Sequence, residues 1–355
     1  MSKLITATEM KSILATRGPA GVPSGAQLTP IAKDLLKEAQ RKGPAGQKAA
    51  VVSEPIVPDY EYKWTPGQEP KTPAEFHEFF HSPEITILRE RMAAIGERIW
   101  NKDYVDGNGG NLTIRVGENL VLCTPTLISK GFMKAEDMCL VDLNGTQLAG
   151  TRKRTSEVMT HIGIMKRQPK AKACCHAHPP HATAFAVASV VPPTCMIPEA
   201  EVFLGQIGLA PYQTPGSPEN ADTVGEIAVN HMSVLMENHG VITWGKDIED
   251  AYWKMENTDA YCKTIWMASQ LKGGELKTIS GAQAKELIGI RKSLGMEDYR
   301  DTWKECELCD NSDFRPGVVC GIPPASAPAG DQPEYDDAAE ALVQQITNEI
   351  MKKLK

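Results

Sequence analysis

Three histidines are the residues of this chain most able to do chemistry. His176 and His178 flank Ala177, follow the β-prone run Ala173-Cys174-Cys175 and precede Pro179-Pro180. On a strand, alternate side chains share a face, so the two imidazoles converge on one point. His239 stands in Glu237-Asn238-His239-Gly240, after the apolar run Val234-Leu235-Met236. That pattern predicts a second strand end, with a glycine allowing a sharp exit. Three imidazoles with one coordination position left open describe a catalytic divalent centre and suit Zn²⁺. Two packing or surface histidines would give the same bare HxH. The third, at another strand end, turns the reading toward a ligand set.

A second candidate is Arg152-Lys153-Arg154-Thr155-Ser156-Glu157. Val158, Ile162 and Met165 continue it with helical spacing, which makes Thr155 or Ser156 the cap and puts Glu157 in the first turn. Free amides, hydroxyls and the positive end of the helix dipole make such a start an anion site. Glu157 can serve as a base if a metal-bound substrate is held beside it. An ordinary capping segment is the competing account. Gly107-Asn108-Gly109-Gly110-Asn111 follows a helix and precedes a strand. A dinucleotide fingerprint needs the opposite order and a glycine where Leu112 stands, so that reading fails. What remains is a tight turn whose amides and Asn111 side chain can approach a phosphate, or a plain structural turn. Cys306-Glu307-Leu308-Cys309, with Cys320 later, is half of a zinc knuckle without its fourth ligand. Plain reduced thiols are the expectation there. His161, His181 and His231 have no partner pattern and read as structural or surface residues.

These groups need elements to hold them. Residues 1–42 read as two amphipathic helices: Thr6 and Glu9 form a capping box for the first, Gly18-Pro19 stops it, and Thr29-Pro30 opens the second. Neither is long enough to stand alone in water. Residues 43–82 are a Pro/Gly-rich arm. From 83 to 303, helical and strand patterns alternate, as in an α/β domain. Leu88, Met92, Ile95 and Ile99 share a helix face, while Leu112–Val116 and Leu120–Cys123 flank Gly117-Glu118-Asn119 as a hairpin. Residues 304–333 form a Cys-containing segment and flexible linker, and 334–355 an amphipathic helix.

Composition limits the partners. The chain has 355 residues, 41% of them hydrophobic, with 38 Lys and Arg against 45 Asp and Glu, a formal charge of −7. That balance argues against non-specific nucleic-acid or anionic-membrane binding. No stretch approaches the ~20 apolar residues of a membrane span, and the N-terminus lacks a signal-peptide core. Nine cysteines at irregular spacing read as reduced thiols, and a cytoplasmic location is expected.

Taken together, several motifs resemble the class II aldolase/adducin family over roughly residues 84–275. They are Gly110-Asn111-Leu112-Thr113, Thr124-Pro125-Thr126, Thr155-Ser156-Glu157, His176-Ala177-His178-Pro179-Pro180-His181 and Asn238-His239-Gly240. Leu209-Ala210-Pro211-Tyr212, Thr214-Pro215-Gly216 and the helix from Asp247 belong to the resemblance too. The nearest functional group is the fuculose-1-phosphate aldolase-like enzymes. The resemblance implies an α/β/α sandwich around a mainly antiparallel sheet and a tetramer with active sites between subunits. It also implies His176, His178 and His239 as Zn²⁺ ligands, with Glu157 as displaceable fourth ligand and base. Asn111, Thr126, Thr155 and Ser156 would receive the substrate phosphate. Leu127 stands where the family often has glycine, and Tyr299 is a candidate for the C-terminal proton-transfer tyrosine.

The implied chemistry is cleavage of a ketose 1-phosphate of the fuculose or rhamnulose type to dihydroxyacetone phosphate and an aldehyde such as lactaldehyde. Metal Lewis acidity would stabilise the enediolate charge. The family's 4-epimerases carry Asp at the base position, whereas its dehydratases share Glu with the three His. A non-catalytic scaffold is the alternative from another class, as in adducin-like heads that lose the metal ligands. The two ends, in turn, resemble peptides that load enzymes into bacterial microcompartments, which implies shell or cargo partners. Self-association is the plainer account of them.

Overall fold

The computed structural model describes residues 4–42, 61–272 and 276–311. They belong to two compact units divided between residues 59 and 60.

In the first unit, β1 (Leu4–Ile5) leads into α1 (Ala7–Arg17), and β2 (Gln27–Leu28) leads into α2 (Pro30–Lys42). Thr6 and Glu9 close the expected capping box on α1. The two-residue strands pair in parallel, a feature too short to leave a sequence pattern. Ile5, Met10 and Ala32 are buried together, with Leu14 and Leu35 packed against them. Each short helix therefore finds its partner surface in the other.

In the second unit, α3 (Pro73–Phe80) falls inside the stretch expected to be an extended arm. Thr72 and Glu75 cap it reciprocally and Phe80 is buried in the main core, so this part of the arm is folded. Next comes α4 (Pro83–Asn101), whose buried face is the expected Leu88, Met92, Ile95 and Ile99. The hairpin β3 (Asn111–Arg115) and β4 (Leu120–Cys123) follows as predicted, then β5 (Cys139–Asp142) and β6 (Gln147–Ala149). α5 (Val158–Arg167), β7 (Ala173–Ala177) and α6 (Pro180–Val187) carry the central motifs. β8 (Gly208–Ala210), α7 (Pro218–Ile227), β9 (Ser233–Met236), β10 (Gly240–Gly245) and α8 (Ile248–Lys272) complete the sandwich. α9 (Gly281–Ser293) and α10 (Glu305–Leu308) follow.

The eight strands form one sheet in the order β6-β5-β4-β3-β7-β10-β9-β8. All neighbours are antiparallel except β8 and β9, so the sheet is mixed while mainly antiparallel. Its two faces are both covered. Leu120, Leu122, Cys175 and Val241 face the core shared with α4, α6 and α8. Val121, Cys123, Cys174 and Ile242 face the one shared with α5 and α7. Burial on both faces explains why these strands read as unbroken apolar runs.

The expectation that all nine cysteines are reduced is corrected by a disulfide between Cys195 and Cys309. The partners are 114 residues apart, and only the docking of α9 and α10 brings them together. Thr194 and Asn311 hydrogen-bond across the same junction, so the Cys-containing segment is folded as far as residue 311. The expected flexible linker beyond 311, Cys320, and the helix expected at 334–355 lie outside the described residues. No described helix is long and apolar enough to cross a membrane.

Candidate metal centre

β7 is the central strand of the site. His176 lies within it, paired with Asn111 of β3 on one side and Ile242 of β10 on the other. Strand alternation turns His176 toward the α5 side of the sheet, since Cys175 and Ala177 pack on the opposite face. His178 lies just past the strand end. His239 sits in the turn between β9 and β10, where Asn238 adopts a left-handed backbone (φ 54°). Gly240 is needed there: a Cβ would come within 2.6 Å of His178 Cδ2 and 2.7 Å of the Ala177 carbonyl.

The three imidazoles meet. Their ligating nitrogens lie within 4.8 Å of one another, and the ring centroids are 4.7–5.2 Å apart. Two tautomers follow from the hydrogen bonds. His176 Nδ1 is 2.8 Å from the Val241 carbonyl, which can only accept, so this nitrogen carries the proton. His178 Nδ1 is 2.8 Å from Asp106 Oδ1 and likewise donates. Both Nε2 atoms are left as bare lone pairs, buried and without a hydrogen-bond partner. Orphaned buried acceptors are costly in a native fold unless something binds them, and imidazole lone pairs facing one another are what a divalent ion fits. Burial and mutual repulsion hold His239 down to about 4 and His176 well below its ordinary value, so both are neutral at pH 7, as ligands must be.

Glu157 comes to the same place from the start of α5, on the side of the sheet toward which His176 turns. It occupies the N-cap position of α5 (φ −93°, ψ 10°) without capping it, which corrects the expectation that Thr155 or Ser156 caps and Glu157 lies inside the first turn. Its carboxylate faces the rings: Oε2 is 3.6 Å from His176 Nε2, and Oε1 is 3.5 Å from His239 Nε2. Ligands at ~2.1 Å around a tetrahedral ion are separated by about 3.4 Å, so the carboxylate stands at the spacing of a fourth ligand. Burial raises its pKa, partly opposed by the Asn111 amide and by Lys130.

The residues expected at a phosphate are only partly together. Thr126 N donates to the Lys153 carbonyl and Thr155 N to the Thr124 carbonyl, so these two threonines lie on paired segments. Ser156 is exposed nearby. Asn111 behaves differently from the expectation, its Nδ2 donating to Glu157 Oε2 at 2.7 Å. Leu127 has φ 60° and is 79% exposed, a left-handed conformation that suits the glycine often found there. Tyr299 lies away from the three imidazoles of the centre in its own chain and packs against His231 and Trp303 instead. Its hydroxyl bonds Gln206 ahead of β8, at the end of the sheet opposite the His239 turn. A cleft of about 590 Å³ lies beside it, but its buried cations are matched, Lys254 with Asp250 at 2.6 Å and Arg291 with Asp298 at 3.4 Å.

Two residues near the centre carried no motif. Lys130 is 1% exposed, and burial pushes it down to about 8. Asp106 holds His178. Of the histidines read as structural, His161 is buried against Thr113, His181 bonds Asp259, and His231 bonds the Gln206 carbonyl.

Comparison with known proteins gives concordant results. The family described as Class II Aldolase and Adducin N-terminal domain matches residues 90–266. An L-fuculose phosphate aldolase of Methanococcus maripaludis is 37% identical over 49% of this chain and 93% of its own length. A 3-oxo-tetronate 4-phosphate decarboxylase of Haemophilus influenzae is 30% identical over 56% of this chain and 95% of its own. Among solved structures, YgbL of Klebsiella pneumoniae superposes with a TM-score of 0.52 at 26% identity, covering 57% of this chain and 97% of that one. An L-fuculose 1-phosphate aldolase superposes with a TM-score of 0.54 at 23% identity, covering 59% and 96%, and shares the fold.

Proposed function

We propose, from the premise that this chain belongs to the class II aldolase and adducin family, that it is a divalent-metal-dependent aldolase cleaving a ketose 1-phosphate. The observation that carries this reading is the pair of bare Nε2 atoms on His176 and His178, with a His239 nitrogen within 4.8 Å of them and the Glu157 carboxylate beside His176 and His239. These four residues would hold the ion, with Zn²⁺ the best match to three imidazoles. When bound, the ion supplies Lewis acidity that stabilises negative charge developing on the substrate.

The remaining work falls to the chain. Glu157, with its pKa raised by burial, moves a proton at its Oε atoms closer to neutral pH than a solvated carboxylate would. Asn111 steadies that carboxylate through Nδ2 and leaves its buried Oδ1 without a partner, free to accept from a substrate hydroxyl. Thr126, Thr155 and Ser156 supply hydroxyls for the phosphate at the start of α5, where the helix dipole favours an anion. The tyrosine that takes the proton from the hydroxyl becoming the aldehyde oxygen would come from a neighbouring subunit of a tetramer.

The Haemophilus influenzae relative supports a second reading, decarboxylation of a keto-acid phosphate. It uses the same residues, because there too a carbon–carbon bond beside a carbonyl breaks and leaves negative charge behind. Metal-loaded protein assayed against fuculose 1-phosphate, rhamnulose 1-phosphate and 3-oxo-tetronate 4-phosphate separates the two readings. Dihydroxyacetone phosphate release that stops with chelator supports aldolase, and CO₂ release supports decarboxylase. No metal-dependent turnover of any of them would favour a scaffold role. The terminal segments fit cargo targeting to a microcompartment, in the cytoplasm of a bacterium. Deleting residues 334–355 should then abolish co-purification with shell proteins while activity persists.

A further inference from the structure

We infer that Asp106 is a positioning residue for the metal centre, fixing the His178 ring through a turn that Lys130 anchors to the loop bearing Thr126. This rests on the metal-centre reading above and adds the device that shapes it.

The two histidines of the HxH pair are held by different means. His176 lies inside β7, and its ring is fixed by a main-chain carbonyl of the next strand. His178 has left the ladder. Its own N–H donates to the Tyr104 carbonyl at 2.7 Å, and its ring orientation depends on a single side chain, Asp106, at 2.8 Å. That carboxylate is on a surface turn with 81% of its side chain exposed. An exposed hydrogen bond of this kind is ordinarily worth little. Here it selects the tautomer and rotation that aim Nε2 at the other rings.

The turn is built to hold that carboxylate still. Gly109 N donates to the Asp106 carbonyl at 2.9 Å and closes a turn around Gly107, which has φ 56°. A Cβ on Gly109 would overlap Asp106 Oδ1 and approach His178 Cε1 at 3.3 Å, so the turn lies directly on the ring. Lys130 then fastens it from beneath. Its buried Nζ donates to the Asn108 carbonyl at 3.0 Å and to the Ile128 carbonyl at 2.8 Å. One ammonium thus joins the turn that orients His178 to the loop running from Thr126 to Ser129.

The test uses the full chain stripped of metal and titrated with Co²⁺, whose visible absorption reports its ligand geometry. Asp106→Ala should weaken Co²⁺ binding about 10–100-fold and change the absorption bands. Asp106→Asn, which can still accept from Nδ1–H, should recover most of the spectrum and part of the affinity. Lys130→Met should weaken Co²⁺ in the same direction. Because Asp106 is exposed, metal-free Asp106→Ala should melt with its parent, which excludes misfolding as the cause. Parent and Asp106→Ala proteins with equal affinity and identical spectra overturn the inference alone. Unchanged affinity in Lys130→Met overturns the anchoring. A parent that binds no Co²⁺ overturns the metal centre and the inference together.

Discussion

Replacing Glu157 with glutamine isolates the proposed base from the rest of the site. The two side chains have the same shape, and the amide oxygen can still accept from Asn111 Nδ2, now 2.7 Å from the carboxylate. Three imidazoles remain to hold an ion. What disappears is the proton acceptor, together with the charge of the displaceable fourth ligand, which is why the comparison is made at full metal occupancy. A positioned general base is worth about 10²–10⁴ in rate, roughly 3–5 kcal/mol of barrier at 1.36 kcal/mol per decade. We expect kcat to fall by that factor, with KM changed far less, because the phosphate hydroxyls are untouched. Stability should move the other way. Burial raises the Glu157 pKa, so the metal-free native state holds this proton to higher pH than the unfolded chain does. Stability therefore declines as pH rises through that window, and Glu157→Gln removes the decline. Steady-state kinetics on metal-loaded protein, with urea unfolding of the metal-free form at pH 5 and pH 8, tests both. A kcat within about threefold of the parent at full metal occupancy would refute the role given to Glu157.

His161 is fully buried and held down to about 3 by desolvation. Its neutral form therefore stabilises the fold above pH 6.5, and that contribution is lost as pH falls toward 3, at about 1.4 kcal/mol per unit. In urea melts, His161→Gln should flatten the acid side of the stability profile; profiles of equal slope would contradict this. Arg300 bridges Glu201 at 2.9 Å and Asp298 at 2.8 Å, all three side chains buried. Arg300→Met strands the Glu201 carboxylate and leaves Asp298 with Arg291 alone, and should cost about 3–5 kcal/mol by denaturant unfolding, whereas a cost under 1 kcal/mol would show the network is slack. Cys309→Ala opens a crosslink spanning 114 residues. It should lower the non-reducing unfolding midpoint, at about 2–4 kcal/mol, and coincident midpoints for parent and variant would argue against the bond.

The parts of this molecule that could be read in advance are those governed by local periodicity. The Leu88, Met92, Ile95 and Ile99 stripe repeats at helical spacing, and the stripe is buried in α4. His176 and His178 flank one residue at a strand end, so period-two geometry puts both side chains on one face, while the turn of the second ring toward the first rests on Asp106. Glu157 was identifiable as a residue, but its backbone position was not. The chain turns into α5 one residue later than its Thr-Ser signal suggests, because Thr155 N is engaged by the Thr124 carbonyl. Lys130 was invisible, since a lone lysine between Ser129 and Gly131 looks like any surface cation until two carbonyls from separate loops close on it. The Cys195–Cys309 bond and the parallel pairing of β1 with β2 depend on segments meeting from afar, which no spacing rule records.

Calorimetric titration of metal-free full-length protein with Zn²⁺ at pH 7 bears most directly on the claim that the three imidazoles share one ion. One saturable site per chain is expected, with little proton release from His176 and His239 because burial already holds both neutral. Replacing His176 and His239 by alanine should abolish the site. Absence of a stoichiometric site, or a site that persists in that double variant, would contradict the claim.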